Sequence, residues 1–147
     1  MSKYLVSVQK FIPAPAQELF DIVADPRQHP RIDGSGTVRG VDEDGPQTLT
    51  LGSTFTADMK IGKTYRMTNT VVEYEAGRVI AWKPSGDYVW RYTFEPLDGG
   101  TLVTEQWDAS TSKGRAVMGL LGFPGRNRRG ITRTLDRLHQ IALDPKI

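Results

Sequence analysis

The chain contains no cysteine, which excludes disulfides, thiol nucleophiles and thiolate metal sites. Its two histidines, His29 and His139, lie far apart, so nothing supports a histidine-based zinc centre. Asp21, Asp25 and Asp33 are loosely spaced and lack the register of a calcium loop. No metal and no cofactor are expected. There is no Gly-x-Ser-x-Gly elbow and no phosphate-binding glycine loop ending in Lys-Ser/Thr, and Gly119-Leu120-Leu121-Gly122 is too short to stand for one. No apolar run approaches the roughly 20 residues needed to cross a bilayer. Met1-Ser2-Lys3-Tyr4 leads directly into strand-like alternation without a signal-peptide apolar block, so a cytoplasmic protein with no membrane span is expected. No internal repeat or low-complexity tract is visible.

What remains is an ordinary globular composition, 38% hydrophobic and 24% charged over 147 residues, read as a single domain spanning 1–147. Charge is unevenly placed. Residues 113–147 carry eight Lys/Arg against two Asp, while the formal net charge of the whole chain is only +2. A basic face of this kind serves RNA or another anionic partner, or is simply a solvated helix exterior. No aromatic side chains interleave with these arginines as stacking platforms, so nucleic acid is not favoured as a partner.

Alternation of period two dominates the middle of the chain. Residues 4–12 read as a first strand ended by Pro13 and Pro15. A helix from Pro15 to Ala24 follows, with Leu19, Phe20 and Val23 on one face. Asp25 to Gly36 reads as a short helical turn and then loop, residues 37–41 as a strand, and 42–47 as an exposed hairpin loop. Phe55, Ala57 and Met59 alternate with polar neighbours. The strand from Tyr65 to Tyr74 has an ambiguous register: Tyr65, Met67, Asn69 and Val71 compete with Thr68, Thr70, Val72 and Tyr74 for the inner face, and a bulge would reconcile them. Ile80 and Trp82 share one face of the next strand, which a turn at 84–87 closes. Tyr88, Trp90, Tyr92 and Phe94 then share a face, and Asp98-Gly99-Gly100 turns the chain into Val103, Glu105 and Trp107. Short turns between successive strands imply an antiparallel meander with one dry face.

The last long element, Arg126 to Leu143, is helical. Ile131, Leu135, Leu138 and Ala142 form one buried stripe with Thr134 and Ile141 at its flanks, leaving Arg128, Arg129, Arg133 and Arg137 outside it. Such a stripe must be covered by the sheet. Residues 109–125 carry four glycines beside Val117, Met118, Leu120, Leu121 and Phe123, and read as either a mobile lid or a helix packed in the core.

Chemistry concentrates on the inner face. Phe55, Met59, Met67, Trp82, Tyr88, Trp90, Tyr92, Trp107, Met118, Leu121 and Leu135 are the expected ligand-binding residues, because aromatic and aliphatic walls with a few polar tips suit an apolar guest. The same aromatics would equally fill a core against Leu135 and Leu138. Glu105 shares the face of Val103 and Trp107. If that face is inward, its desolvated carboxyl becomes a weak catalytic candidate as well as a ligand contact, the alternative being a structural carboxyl paired with a nearby Tyr or Arg. His29 lies in a loop that could border the cavity entrance, and reads otherwise as a turn or capping residue.

The order of elements and several stretches resemble the START/SRPBCC superfamily, which shares the helix-grip fold of the birch-pollen allergen, and within it the polyketide cyclase/dehydrase-like family. The stretches are Pro13-Ala14-Pro15 entering the first helix, Asp25-Pro26-Arg27-Gln28-His29-Pro30, Val71-Val72-Glu73-Tyr74-Glu75, Arg78-Val79-Ile80-Ala81-Trp82, Trp90-Arg91-Tyr92-Thr93-Phe94-Glu95-Pro96 and Gly99-Gly100-Thr101-Leu102-Val103-Thr104-Glu105. The resemblance implies an α+β helix-grip fold, with a curved seven-stranded antiparallel sheet wrapped around a long C-terminal helix and two short helices after the first strand. It also implies a hydrophobic cavity. Members of the superfamily bind lipids, sterols and polyketides, and some cyclise or dehydrate polyketides; no universal catalytic motif carries over. Three functions follow. The first is binding of a lipid, polyketide or isoprenoid-like molecule in a closed cavity of several hundred cubic ångströms, by a monomer or homodimer. The second is a cyclase or dehydratase using Glu105 and a cavity tyrosine. The third is an RNA- or anion-contacting protein using the basic helix.

Overall fold

The computed structural model describes residues 4–42, 44–85 and 87–144. The expected hairpin loop at 42–47 and the turn at 84–87 each include one residue outside that set. Seven strands form one sheet: β1 (Leu5–Ile12), β2 (Val38–Val41), β3 (Thr54–Ile61), β4 (Lys63–Glu75), β5 (Val79–Pro84), β6 (Val89–Leu97) and β7 (Gly100–Asp108). Their order is β1-β7-β6-β5-β4-β3-β2, and every neighbouring pair is antiparallel. The meander β2 to β7 thus follows chain order, and β1 pairs with the last strand. Among the described residues four α-helices accompany the sheet: α1 (Ala16–Val23), α2 (His29–Ile32), α3 (Arg115–Leu120) and α4 (Phe123–Leu143). This is the helix-grip architecture the sequence implies.

Each element follows from local chemistry. Pro13 and Pro15 cannot donate to a ladder and end β1. Pro15 then takes the extended conformation at the N-cap of α1, which buries Leu19, Phe20 and Val23. The Asp25 carboxylate accepts from the Arg27 backbone N–H at 3.0 Å, capping a 3₁₀ turn at Pro26–Gln28. Gly62, with φ of +72°, makes the tight turn that joins β3 to β4.

The ambiguous strand resolves through a bulge at Val72, where the β4/β5 register shifts between Val71 and Glu73. Before it, Tyr65, Met67, Asn69 and Val71 face inward; after it Tyr74 does, packing edge-on against Phe20 at 5.8 Å. The extra residue lets one long strand present both sets to the concave side.

Helix α4 packs on β1 and β7 and touches α1, α2 and α3. Ile131, Leu135 and Leu138 are fully buried, each contributing on the order of 1.5–3 kcal/mol. The helix begins at Phe123, three residues before the expected start, because Pro124 is accommodated in its first turn, where no N–H partner is needed. The segment expected to be either lid or core helix forms α3, which buries none of its residues, so the core-helix alternative is overturned. Among the described residues no helix is long and apolar enough to cross a membrane.

The middle of α4 is held by the loop after α2. The Gly34 N–H donates to Thr134 Oγ1 at 2.8 Å, and that hydroxyl donates to the Gly130 carbonyl at 3.0 Å. Arg137 also donates to the Asp33 carbonyl. The approach is so close that a Cβ on Gly34 would lie 2.4 Å from the Arg133 Cβ and 2.5 Å from the Thr134 backbone nitrogen. We therefore expect Gly34→Ala to push the loop off the helix and destabilise the fold by about 2–3 kcal/mol. Thermal denaturation should show this as a drop of about 5–10 °C in Tm; an unchanged Tm would show that the loop does not clamp α4.

Candidate functional site

Between the concave face of β3–β7 and the N-terminal half of α4 lies a cavity of about 290 Å³. Exposure falls in the same direction along every wall. On β3, Ile61 is exposed, Met59 half-buried, and Ala57 and Phe55 buried; on β4, Tyr65 and Met67 are half-buried and Asn69 is buried. On β6 the sequence Tyr88, Trp90, Tyr92 ends buried, and on α4 Arg126 is exposed, Asn127 half-buried, and Gly130 and Thr134 buried. The mouth is therefore framed by Ile61, Tyr65, Tyr88 and Arg126, and the floor by Phe55, Asn69, Tyr92, Glu105 and Thr134. Arg126 and Thr134 are eight residues apart on one helix, so the cavity runs about 12 Å along α4. An exposed rim means that it opens to solvent, in contrast to the closed cavity expected from sequence.

Of the twelve residues named from sequence, Phe55, Met59, Met67, Trp82, Tyr88, Trp90, Tyr92, Glu105 and Trp107 line this cavity. Three do not. Leu135 lies one position past Thr134, where the helix has closed onto the sheet, and is 1% exposed within the core. Met118 packs half-buried against the core from α3, and Leu121 is 65% exposed. Neither lines the cavity; α3, which carries Met118, packs against α4. The first lining residue after the sheet is Phe123.

Several lining residues were missed. His29, expected to be a turn residue, is 7% exposed and stacks on Trp82 with ring centroids 4.9 Å apart, edge-on to Phe55 at 5.2 Å. Asn69, Phe123 and Arg126 also line the cavity, and so do Ile131 and Thr134, which the sequence places on the inner stripe of the helix as a wall of the pocket. For Asn69 the signal existed, since it lies in the inward set of β4; His29 depends on where the 3₁₀ turn docks, which no local pattern encodes.

The floor holds the site's only ionisable pair in direct contact. Tyr92 and Glu105 are cross-strand partners, and the Tyr92 hydroxyl is hydrogen-bonded to the Glu105 carboxyl. Burial pushes the Glu105 pKa well above its ordinary 4.5, opposed by the tyrosine hydrogen bond and reinforced by the negative charge of Asp33. Its Oε1 has no hydrogen-bond partner, the one such buried side-chain atom among the described residues. Burial likewise raises the Tyr92 pKa. His29 is pushed down by burial, so the imidazole is neutral. Its Nε2–H donates to the Val23 carbonyl at 2.8 Å, which leaves Nδ1 as an acceptor. Asp33 is occupied: its carboxylate accepts from the Ser35 hydroxyl at 2.8 Å and the Val38 N–H at 3.1 Å.

Chemically, the arrangement offers an aromatic box, one carboxyl oxygen with free hydrogen-bonding capacity at its floor, and one cation, Arg126, at its rim. Arg126 sits 4.3 Å over the Phe123 ring. No cluster of three or more metal-ligating side chains exists among the described residues.

The raised Glu105 pKa sets a pH dependence. The buried acid holds its proton more tightly folded than unfolded, so its stabilising contribution is complete below about pH 4.5 and is lost as pH rises through the raised pKa. Glu105→Gln keeps the shape and removes the titration. Urea unfolding at stepped pH should show the wild type losing about 1.4 kcal/mol per pH unit relative to Glu105→Gln within that window. A difference that stays flat with pH would mean the carboxyl is not desolvated.

Comparison with known proteins agrees with this geometry. The sequence profile of the polyketide cyclase/dehydrase and lipid transport family matches residues 4–142. Rv0088, an uncharacterized Mycobacterium tuberculosis protein (strain ATCC 25618 / H37Rv), is 40% identical over 133 residues, covering 86% of this chain and 59% of that protein. The chain thus spans about three-fifths of that relative's length. Among solved structures, CV1439 from Chromobacterium violaceum superposes with a TM-score of 0.72 at 16% identity, covering 97% of this chain and 99% of that one. The Aha1 dimer from Colwellia psychrerythraea gives a TM-score of 0.68 at 11% identity, covering 97% and 98%. At those identities the structures show a shared fold alone. With the seven-stranded sheet, the gripped terminal helix and a profile match over nearly the whole chain, the protein belongs to the polyketide cyclase/dehydrase and lipid transport family, within the START/SRPBCC superfamily.

Proposed function

We propose that the protein binds an apolar small molecule, of lipid, polyketide or isoprenoid character, in the cavity between the sheet and α4. The observation that carries this reading is the preformed cavity itself, walled by Phe55, Trp82, Tyr88, Trp90, Tyr92 and Trp107. Aromatic side chains that served only as core would meet the helix; here they face open volume. At the volume share of a water molecule, about 30 Å³, the cavity takes about ten non-hydrogen atoms, at the small end of known ligand sites. A single chain supplies every wall, so either a monomer or a homodimer can bind.

A second reading rests on Glu105. A buried acid hydrogen-bonded to a tyrosine inside a ligand cavity is equipped to move a proton to or from a bound carbonyl compound, which is what a cyclase or dehydratase acting on a polyketide-like substrate requires. In this reading a linear poly-β-ketone mixed with the protein loses the mass of water, and Glu105→Gln abolishes the loss while uptake persists. No mass change with any such substrate would remove it.

The binding reading makes a direct expectation. Ala57 is 4% exposed on the cavity wall, so Ala57→Phe should fill the space and weaken uptake of a neutral fluorescent apolar probe at least about tenfold, equivalent to about 1.4 kcal/mol. Native mass spectrometry of the wild type from its own organism should show a co-purifying apolar molecule that this variant lacks. Equal probe binding by both proteins would place binding elsewhere or nowhere.

A further inference from the structure

The cavity's polar groups are distributed so that one end of a guest is chemically specified. Resting on the binding reading above, we propose that the ligand is a hydroxylated amphiphile that enters hydroxyl first and hydrogen-bonds Glu105 Oε1 at the floor, with any acidic group left at the mouth beside Arg126.

Three observations combine. First, the floor has one fully buried oxygen without a partner. Thr134 uses its hydroxyl both to donate to Gly130 and to accept from Gly34. Asp33 is filled by Ser35 and Val38. Asn69 Nδ2 donates to the Phe55 and Met67 carbonyls at 3.5 and 3.3 Å, which leaves its Oδ1 as a second acceptor near the floor, and Tyr92 is engaged by Glu105. Glu105, 4% exposed, keeps Oε1 without a partner. An unpartnered buried polar atom carries a desolvation cost that nothing in the chain repays, and a guest group that meets it recovers that cost.

Second, the sign of charge at the floor selects the group. Asp33 and Glu105 line the inner part of the cavity, and Arg126, at the rim, is the one Lys or Arg in the lining among the described residues. With burial holding the Glu105 proton in place, a carboxylate or phosphate at the floor would still lie near the Asp33 carboxylate, with Arg126 at the rim too far away to neutralise it. An ammonium brings three donors and no acceptor, so it would leave the carboxyl proton unmet and its own N–H groups desolvated. A hydroxyl both donates and accepts, so it matches a neutral carboxyl whichever oxygen carries the proton.

Third, the rim suits the opposite end. The Arg126 guanidinium is exposed, rests on the Phe123 ring and has no ion-pair partner among the described residues, so its donors remain available to a carboxylate. The roughly 12 Å between rim and floor along α4 is walled mainly by aromatic and aliphatic side chains, Met59, Met67, Trp90 and Ile131 among them, which asks for a hydrocarbon middle.

A matched set of ten-carbon probes tests this: decanoate, ω-hydroxydecanoate, decan-1-ol and decylamine, each displacing a neutral fluorescent apolar probe from the purified protein. The expected result is that ω-hydroxydecanoate binds about tenfold more tightly than decanoate, the worth of one hydrogen bond to a buried carboxyl. Glu105→Leu should abolish that preference while decanoate still binds, and Glu105→Gln should keep most of it. Arg126→Gln should weaken both acids and leave decan-1-ol unchanged. Unfolding curves for each variant check that it is folded. Equal affinities for decanoate and ω-hydroxydecanoate in the wild type would overturn the floor assignment while leaving the binding reading intact, and so would decylamine binding most tightly. Loss of all four probes from a folded wild type would overturn the binding reading and this inference together.

Discussion

The Thr134 hydroxyl sets where the helix can lie. By donating to Gly130 and accepting from Gly34, it joins α4 to the loop after α2 at a spacing that leaves no room for a side chain on Gly34. C-terminal to that point Leu135 and Leu138 close onto the sheet and vanish from solvent. N-terminal to it the helix is held away from β3 and β4, and the gap is the cavity. A helix free to roll would seat its N-terminal half on the aromatic strands and fill the volume, since apolar contact is favourable and non-directional. A directional hydrogen bond, placed where closure would otherwise continue, keeps the space open.

Much of this was legible in the sequence, for a physical reason. Strand alternation reports which side chains share a face, and the faces of β6 and β7 read unambiguously from Tyr88, Trp90, Tyr92 and from Val103, Glu105, Trp107. The stripe Ile131, Leu135, Leu138 announced a gripped helix. Alternation does not report depth, however. Leu135 and Thr134 are neighbours with equal claims to the inner stripe, yet only Thr134 reaches the cavity, because the distance between helix and sheet changes along the axis. His29 is set by how a 3₁₀ turn docks against Phe55 and Trp82, a contact between segments 26 and 53 residues away in sequence. In residues 113–123 composition misled, since Val117, Leu120 and Leu121 are apolar but lie on the outside of α3, exposed at 60%, 88% and 65%.

The arginines of α4 show the same separation between what composition says and what geometry does. Arg137 donates to the Asp33 carbonyl, Arg128 reaches the Ser7 carbonyl at 3.5 Å, and Arg126 lies on Phe123. Three of the cations that make the C-terminal segment basic therefore have positions fixed by the fold. The helix is basic partly because long guanidinium side chains can span from it to neighbouring backbone carbonyls, where a lysine's point charge would hold less well.

Glu105 is the residue that folding alone does not explain. It sits in register between Val8 on β1 and Tyr92 on β6, a position where any apolar side chain of similar volume would pack without desolvating a carboxyl, and buried ionisable groups replaced in this way often leave a protein more stable. The tyrosine hydrogen bond offsets part of the penalty and leaves Oε1 unmet. Across the sheet the contrast is plain: Glu73 on the outer face is satisfied twice over by Arg91, at 2.7 and 2.9 Å, and its pKa is lowered chiefly by those hydrogen bonds. The same side chain type is thus neutralised outside and left wanting a partner inside, at the floor of the one cavity the helix is held back to preserve. Hydrogen bonds within the chain account for Glu73; within the chain nothing meets Oε1 of Glu105.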